Sequence, residues 1–151
     1  MPRTRTPGEF ARSIEAAGGG NEFVFKDDRP FAQCHASTLA QTTDGALLCA
    51  WFGGTRENHP DVAIWLSRFD GGAWSFPTCV GKVADIAHWN PVLFTAPDGV
   101  VHLFFKVGTD IPQWRTYVRT SADGGLAWSA PRELVPGDEG GMLPDELDAL
   151  C

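Results

Sequence analysis

The chain has 151 residues, of which 43 % are hydrophobic and 21 % are charged. This composition is close to that of an ordinary globular domain and excludes disorder of the whole chain. No apolar run approaches the roughly 18 residues of a membrane-spanning helix, so we do not expect an integral membrane protein. The first twenty residues contain no continuous apolar stretch. We therefore expect no secretory signal and a cytoplasmic location.

The net charge of −7 is concentrated near the C-terminus. The last fifteen residues contain five of the 19 acidic side chains and no basic one, whereas all 12 basic side chains lie in the rest of the chain. This balance leaves no basic surface for a nucleic acid backbone or for an anionic membrane. We therefore expect neither nucleic acid nor a membrane as a partner.

The four cysteines do not form the pattern of a metal site or a redox pair. They include no C-x-x-C pair and no metal-ligand spacing with histidine. Small buried thiols in a reducing compartment are the more common use of such cysteines. We predict no metal and no cofactor.

An internal repeat is the strongest pattern in the chain. The segment 34–80 aligns without gaps with the segment 88–134, and the two share several identical residues. The identities include an Asp-Gly pair early in each unit and an Ala-Trp-Ser triplet late in each unit. Repeats of about 40–50 residues with several strands each are typical of β-propeller blades. Two units do not close a ring, so we expect a partial propeller from a longer protein.

Each unit is predicted to contain four short strands, because glycine and proline interrupt the chain every few residues and Asp-Gly pairs favour hairpins. In the first unit the predicted strands are His35–Gln41, Ala46–Phe52, Val62–Arg68 and Thr78–Val83. In the second unit they are Asn90–Thr95, Val100–Lys106, Arg115–Ser121 and Arg132–Val135. Residues Glu22–Phe25 form a further candidate strand, on the outside of the sheets.

The predicted fold class is all-β, with about two four-stranded antiparallel blades. Residues 1–20 are predicted to be flexible or locally helical, and residues 21–136 to form the blades. Residues 137–151 are predicted to form an acidic tail.

A turn motif in the second unit points to a family. Residues 121–128 read S-A-D-G-G-L-A-W and fit the Asp-box pattern S-x-D-x-G-x-x-W. In such a turn the Asp side chain binds amides of its own turn, and glycine accepts a positive φ. Residues 67–74 read S-R-F-D-G-G-A-W, which we interpret as a degraded copy whose Asp is one residue too close to the Trp.

With these motifs the chain resembles the sialidase (neuraminidase) superfamily of BNR/Asp-box six-bladed propellers. The resemblance is also carried by C-H-A-S-T (34–38), A-W-F-G-G-T-R-E (50–57), D-V-A-I-W (61–65) and H-W-N-P-V (88–92). It covers about residues 22–136 and implies a glycosidase that acts on terminal sialic-acid-like sugars. In this superfamily an arginine cluster binds the sugar carboxylate, an Asp serves as acid/base, and a Tyr assisted by a Glu is the nucleophile.

Only part of that site can be transferred to this chain. Arg56 matches a basic position after the second strand, and Asp61 is the best local candidate for the catalytic acid/base. His35 begins the stretch that stands in place of the family's R-I-P motif, and Gly54 stands where the family pattern has an acid. The single tyrosine, Tyr117, lies on a predicted third strand, which is the wrong place for the nucleophile.

Further candidates lie at the starts of strands or in the charged loop. The residues predicted to bind substrate are Arg56, His35, Glu57, His88, Asn90 and Lys106. The alternative for the charged loop is a surface ion pair of little energetic value. The alternative for the histidines is a structural role, and Asn90 beside a proline also suits a strand entry.

Three functions remain open at this point. The preferred one is part of a sialidase-like glycoside hydrolase, in which Arg56 with His35 or Lys106 holds the carboxylate of a sialic-acid-like glycan. The second is a non-catalytic propeller that binds carbohydrate or protein, because a fold does not determine a function. The third is an inactive truncated gene product, with a tail that is out of frame.

Overall fold

The computed structural model describes residues 22–137. The predicted flexible segment 1–20 and the predicted tail beyond residue 137 lie outside these residues. The described residues form eight strands and one short 3-10 helix, Ile111–Gln113. The strands are β1 (Gln33–Gln41), β2 (Leu47–Gly54), β3 (Ala63–Phe69), β4 (Thr78–Gly81), β5 (His88–Thr95), β6 (Val101–Val107), β7 (Arg115–Ser121) and β8 (Arg132–Glu133).

The strands form two four-stranded antiparallel sheets, in the orders β1-β2-β3-β4 and β5-β6-β7-β8. The all-β prediction is confirmed, and the observed strand ends lie within two residues of the predicted ones. Among the described residues, no helix has the length and apolarity needed to cross a membrane.

The outer strand predicted over Glu22–Phe25 is wrong. These residues form no strand. Instead the ring of Phe25 packs on Trp51 and Phe31, at centroid distances of 4.8 and 5.1 Å. The segment therefore covers the face of the first sheet with its side chains, and it adds no hydrogen-bonded edge.

The main core lies between the two sheets. Leu48, Ala50 and Phe52 alternate along β2 and are buried with Leu103 and Phe105 of β6 in one apolar cluster. Burial of each large apolar side chain contributes about 1.5–3 kcal/mol. A smaller cluster on the opposite face of β2 contains Phe31, Cys49 and Trp51. Strand β2 is consequently buried on both faces.

The first strands of the two sheets lie side by side. The amide N of Leu93 in β5 donates to Oγ1 of Thr38 in β1, at 3.3 Å. Both strands carry a bulge, with Ala36 at φ 53° in β1 and Asn90 at φ 40° in β5. Ala36 and Asn90 are aligned with each other in the internal repeat, so the bulge belongs to the repeat.

The turn after β7 has the hydrogen bonds predicted for it. Oδ1 of Asp123 accepts from the amides of Leu126 and Ala127, at 3.1 and 2.9 Å. Oγ of Ser121 donates to the same oxygen at 2.7 Å and accepts from the amide of Gly125 at 2.8 Å. The amide hydrogen bonds, led by the one from Ala127, hold the pKa of Asp123 below its usual value.

In the first sheet, Ser67 is not the structural equivalent of Ser121, although we had interpreted it as the serine of a degraded Asp-box. Leu47 pairs with Phe69, whereas Val101, its repeat partner, pairs with Ser121. Phe69 therefore occupies the position of Ser121, although the sequence alignment placed Ser67 there. Ser67 lies two residues earlier inside the sheet, where its buried Oγ has no hydrogen-bond partner among the described residues.

The two buried serines give a matched prediction. Ser121→Ala removes two turn hydrogen bonds and should lower the free energy of unfolding by about 1–2 kcal/mol. Ser67→Ala removes an unpaired buried hydroxyl and should leave that free energy unchanged or raise it by up to about 1 kcal/mol. Urea unfolding of both variants measures the difference. Equal losses for the two variants would contradict the assigned register.

Candidate functional site

Three loops meet at one end of the two sheets, which we call the loop end. They are residues 55–62 after β2, residues 82–87 between the sheets, and residues 108–114 after β6. The Nζ of Lys82 donates to the carbonyl oxygens of Pro60, Val62 and Ile86, the last two at 3.3 and 3.2 Å. The amide of Gly108 donates to the carbonyl of Ala87 at 3.1 Å. Hydrogen bonds to backbone carbonyl groups, from the Lys82 side chain and from the Gly108 amide, therefore join the three loops.

Asp61 organises the first of these loops. Its Oδ1 accepts from the amide of Thr55 at 3.0 Å, and its Oδ2 accepts from Oγ1 of Thr55 at 2.6 Å. Nδ1 of His59 lies 2.7 Å from Oδ1. The carboxylate thus connects the start of the loop to its last residues.

The protonation state of Asp61 follows from these contacts. Burial alone would raise its pKa, but the hydrogen bonds from Thr55 and His59 outweigh burial and lower the pKa to about 2. The carboxyl group is therefore ionised at neutral pH. In this geometry it can accept a hydrogen bond or a proton, but it does not carry a proton to donate.

Gly54 explains why the acid of the family pattern is missing there. A Cβ atom at this position would lie 2.6 Å from Oδ1 of Asp61 and 2.9 Å from Cα of Val62. Such distances are below normal contact, so no side chain fits at residue 54 while the loop has this conformation. The carboxylate of Asp61 lies against the space that an acid at residue 54 would enter.

The predicted residues Arg56 and Glu57 are exposed on the same loop as Asp61. Asn58 follows them with φ 60°, a left-handed conformation that asparagine tolerates better than most residues. This turn brings His59 back to Asp61 and leaves the side chains of residues 56 and 57 facing solvent.

Sequence reasoning missed His59, Thr55 and Lys82. His59 stands two residues before Asp61, and this spacing was the available signal for their contact. No pattern in the sequence indicates the role of Lys82, because the carbonyl groups that it binds, those of Pro60 and Val62, are distant from it along the chain.

His35 and Asn90 occupy corresponding ends of β1 and β5. His35 is exposed, and its ring lies 5.6 Å from that of Phe52. Asn90 is exposed within the bulge of β5. The adjacent first strands bring both residues to the loop end, where the substrate-binding role predicted for them remains a prediction.

His88 is placed differently from our expectation of a substrate-binding residue. It is fully buried, its Nε2 accepts from the amide of Val83 at 2.9 Å, and its Nδ1 lies 2.8 Å from the carbonyl of Ile86. Burial lowers its pKa to about 4, so the ring is neutral. Both nitrogens are already bound to backbone, and neither is available to a ligand. The geometry therefore favours a structural role for His88, which was the alternative to substrate binding.

Lys106 and two tryptophans line the second sheet's part of the loop end. Nζ of Lys106 donates to Oγ1 of Thr116 at 2.6 Å. The rings of Trp89 and Trp114 stack with centroids 5.2 Å apart, and Trp89 is buried. Trp114 is only partly buried and contributes an aromatic surface to this region.

Tyr117 lies on β7, as predicted. Its hydroxyl donates to Oε1 of Glu133 at 3.3 Å, and burial raises its pKa, as does the negative charge of Glu133. The phenol therefore stays protonated at neutral pH. Within residues 22–137, no cluster of three or more His, Cys, Asp or Glu side chains is arranged to hold a metal ion.

The comparison with protein families assigns the chain. A family model described as a BNR repeat-like domain matches residues 45–143, which is well over half of the chain. The chain therefore belongs to the BNR repeat-like domain family. A search of curated proteins gives no match.

Two solved structures share the fold. The Hadza microbial sialidase Hz136 aligns with a TM-score of 0.55 and 13 % identity, over 66 % of this chain and 25 % of that chain. A protein of unknown function from Dyadobacter fermentans DSM 18053 aligns with a TM-score of 0.55 and 15 % identity, over 74 % of this chain and 38 % of that chain. This chain thus spans between a quarter and two fifths of their lengths.

The pKa of Asp61 predicts a pH-dependent contribution to stability. Because the pKa falls from 3.8 in the unfolded chain to about 2 in the folded chain, the stabilisation is complete above about pH 4 and is lost as the pH falls towards 2. Asp61→Asn should therefore lower Tm at pH 7 and lose this difference from the unmodified chain near pH 2. Nearly half of the side chain is exposed, so we expect at most about 1 kcal/mol.

Glu57→Gln is the control for this measurement, because it removes an exposed carboxylate from the same loop. It should leave Tm nearly unchanged at every pH. A difference between Asp61→Asn and the unmodified chain that persists at pH 2 would show that the ionised carboxylate is not its source.

Proposed function

We propose that the two sheets are two blades of a six-bladed β-propeller in a glycoside hydrolase that acts on terminal acidic sugars. The arrangement of the loop end is the observation that carries this proposal. The exposed Arg56 and the ionised Asp61 share one loop, beside the adjacent first strands β1 and β5. Membership of the BNR repeat-like family and a fold shared with a sialidase support it.

In this proposal Arg56 binds the sugar carboxylate. Its guanidinium group is exposed and can offer two parallel N–H donors to a planar carboxylate. His35 and Lys106 extend the donor surface on the two sheets, and Glu57 and Asn90 contact sugar hydroxyl groups. Asp61 assists proton transfer as an acceptor, since it is ionised at neutral pH.

The second candidate function is a propeller that binds a carbohydrate or a protein without cleaving it. The state of Asp61 favours this candidate, because an acid catalyst with a pKa near 2 has no proton to give at neutral pH. The lack of space for an acid at Gly54 favours it too. Turnover of a bound sialoside by the intact protein separates the two functions.

We expect that the 151-residue chain by itself does not hydrolyse a sialoside. In the proposed enzyme the other arginines and the Tyr–Glu pair come from further blades. Release of the fluorophore from a 4-methylumbelliferyl sialoside measures hydrolysis, and turnover above that of a heat-treated sample would contradict the expectation.

Ligand binding by the chain tests the role of Arg56 directly. Truncating a charged hydrogen-bonding partner costs about 1.5–3 kcal/mol, so Arg56→Ala should weaken binding of N-acetylneuraminic acid by about ten-fold or more. NMR titration measures the affinity. Arg132→Ala, which removes another exposed arginine on β8, is the matched control and should have no effect. Equal affinities for the Arg56 variant and the unmodified chain would exclude Arg56 as the carboxylate ligand.

A further inference from the structure

His59 lies at the junction of two turns in the loop after β2. Its amide donates to the carbonyl of Arg56 at 3.1 Å, and its own carbonyl accepts from the amide of Val62 at 3.0 Å. The side chain of Lys82 binds the carbonyl groups of Pro60 and Val62 in the same loop. The backbone of His59 is therefore held on both sides, and these bonds set the direction in which its side chain leaves the loop.

Asp61 holds the imidazole ring of His59 in one tautomer. Nδ1 of the ring lies 2.7 Å from Oδ1 of Asp61, whose carboxyl group is ionised and can only accept a hydrogen bond. The amide of Asp61 lies farther from Nδ1, at 3.4 Å, which exceeds the usual length of a hydrogen bond. Nδ1 therefore carries the hydrogen, because two bare acceptors would otherwise face each other. In the neutral ring the lone pair is then on Nε2.

Nε2 of His59 is accessible to a ligand. The hydrogen bonds of the ring with the described residues are made at Nδ1, and 35 % of the side chain is exposed. Nε2 does not belong to the buried, unpartnered side-chain atoms of the described residues, so solvent reaches it. His88 differs in this respect, because it is fully buried and both of its nitrogens are bound to backbone groups.

The carboxylate of Asp61 has no corresponding position for a ligand. Its Oδ1 accepts from Nδ1 of His59 and from the amide of Thr55. Its Oδ2 accepts from the same amide at 3.2 Å and from Oγ1 of Thr55 at 2.6 Å. These contacts use the roughly four lone-pair positions of a carboxylate. Asp61 therefore acts on a ligand through His59.

Arg56 and His59 are the first and last residues of one turn, which the positive φ of Asn58 completes. The Cα atoms at the ends of such a turn are within about 7 Å of each other, so both side chains can contact one sugar-sized molecule. A guanidinium group binds a carboxylate, and the lone pair of an imidazole accepts from a hydroxyl group. The pair therefore matches a molecule that carries both groups on one ring.

We propose that Nε2 of His59 accepts a hydrogen bond from a hydroxyl group of the acidic sugar whose carboxylate binds to Arg56. Asp61 is the positioning residue that fixes the tautomer and the orientation of this imidazole. The contact rests on the proposed function, because it involves the same ligand at the same loop. It narrows the ligand to acids that carry a hydroxyl group close to the carboxylate.

The tautomer is measured on the unmodified chain, by NMR of the imidazole nitrogens. The resonances of the neutral His59 ring, identified by their loss in His59→Asn, should show hydrogen on Nδ1 and a lone pair on Nε2. Addition of N-acetylneuraminic acid should move the Nε2 resonance upfield, because this nitrogen accepts a hydrogen bond. Cyclohexanecarboxylate, a ring with a carboxylate and no hydroxyl group, should leave the resonance in place.

The affinities of these two ligands separate a ligand contact from a role in loop structure. His59→Asn keeps an N–H group at the place of Nδ1 and removes Nε2. It should weaken binding of N-acetylneuraminic acid by about three- to ten-fold, the value of one net hydrogen bond, and leave that of cyclohexanecarboxylate unchanged. Arg56→Ala should weaken both. His102→Asn, on β6 at the end away from the loop end, is the matched control and should change neither affinity.

The failure of this contact is distinguishable from the failure of the proposed function. Hydrogen on Nε2 of His59 in the unmodified chain would overturn the contact alone. So would binding of N-acetylneuraminic acid that Arg56→Ala weakens and His59→Asn does not, or an equal loss for both ligands in His59→Asn. If the unmodified chain does not bind N-acetylneuraminic acid at all, the contact and the proposed function are both overturned.

Discussion

The structure depends on the burial of β2 on both of its faces. Side chains alternate along a strand, so Leu48, Ala50 and Phe52 face the second sheet while Cys49 and Trp51 face the segment before β1. The sheets approach so closely that a Cβ atom at Gly81 of β4 would lie 3.3 Å from Phe105 of β6 in the second sheet. This packing sets the position of the second sheet, and with it the loops that meet at the loop end.

Hydrogen bonds hold the loops of the loop end together. Arg56, the residue proposed to bind the sugar carboxylate, is exposed on the first of these loops. Lys82 binds carbonyls of two loops, and Asp61 connects Thr55 to His59. The side chain of Arg56 lies in solvent between these fixed points. A loop anchored at both ends loses little entropy when it binds a ligand, and this favours recognition by its exposed residues.

Local patterns made the strands and hairpins predictable, whereas long-range contacts did not appear in the sequence. Asp-Gly pairs and alternating apolar residues located all eight strands. The identical Ser67 and Ser121 suggested that the third strands of both sheets have the same register. The loop before β3 is longer than the loop before β7, and the turn after β3 is shorter than the turn after β7. The pairing of β3 with β2 is therefore shifted by two residues relative to the pairing of β7 with β6. The burial of His88 was equally hidden, because its partners are backbone groups of the connection between the sheets.

The two units have kept one scaffold and placed different chemistry on it. At the loop end the first unit carries the charged side chains of Arg56 and Asp61, whereas the second carries the stacked rings of Trp89 and Trp114 beside the charged Lys106. Polar hydrogen-bonding groups beside a partly exposed aromatic ring form the combination that binding sites use to orient a ligand and to bury its apolar surface. A sugar presents hydroxyl groups at its edges and C–H groups on its faces, so the difference between the units supports the proposed sugar ligand more strongly than either loop does alone.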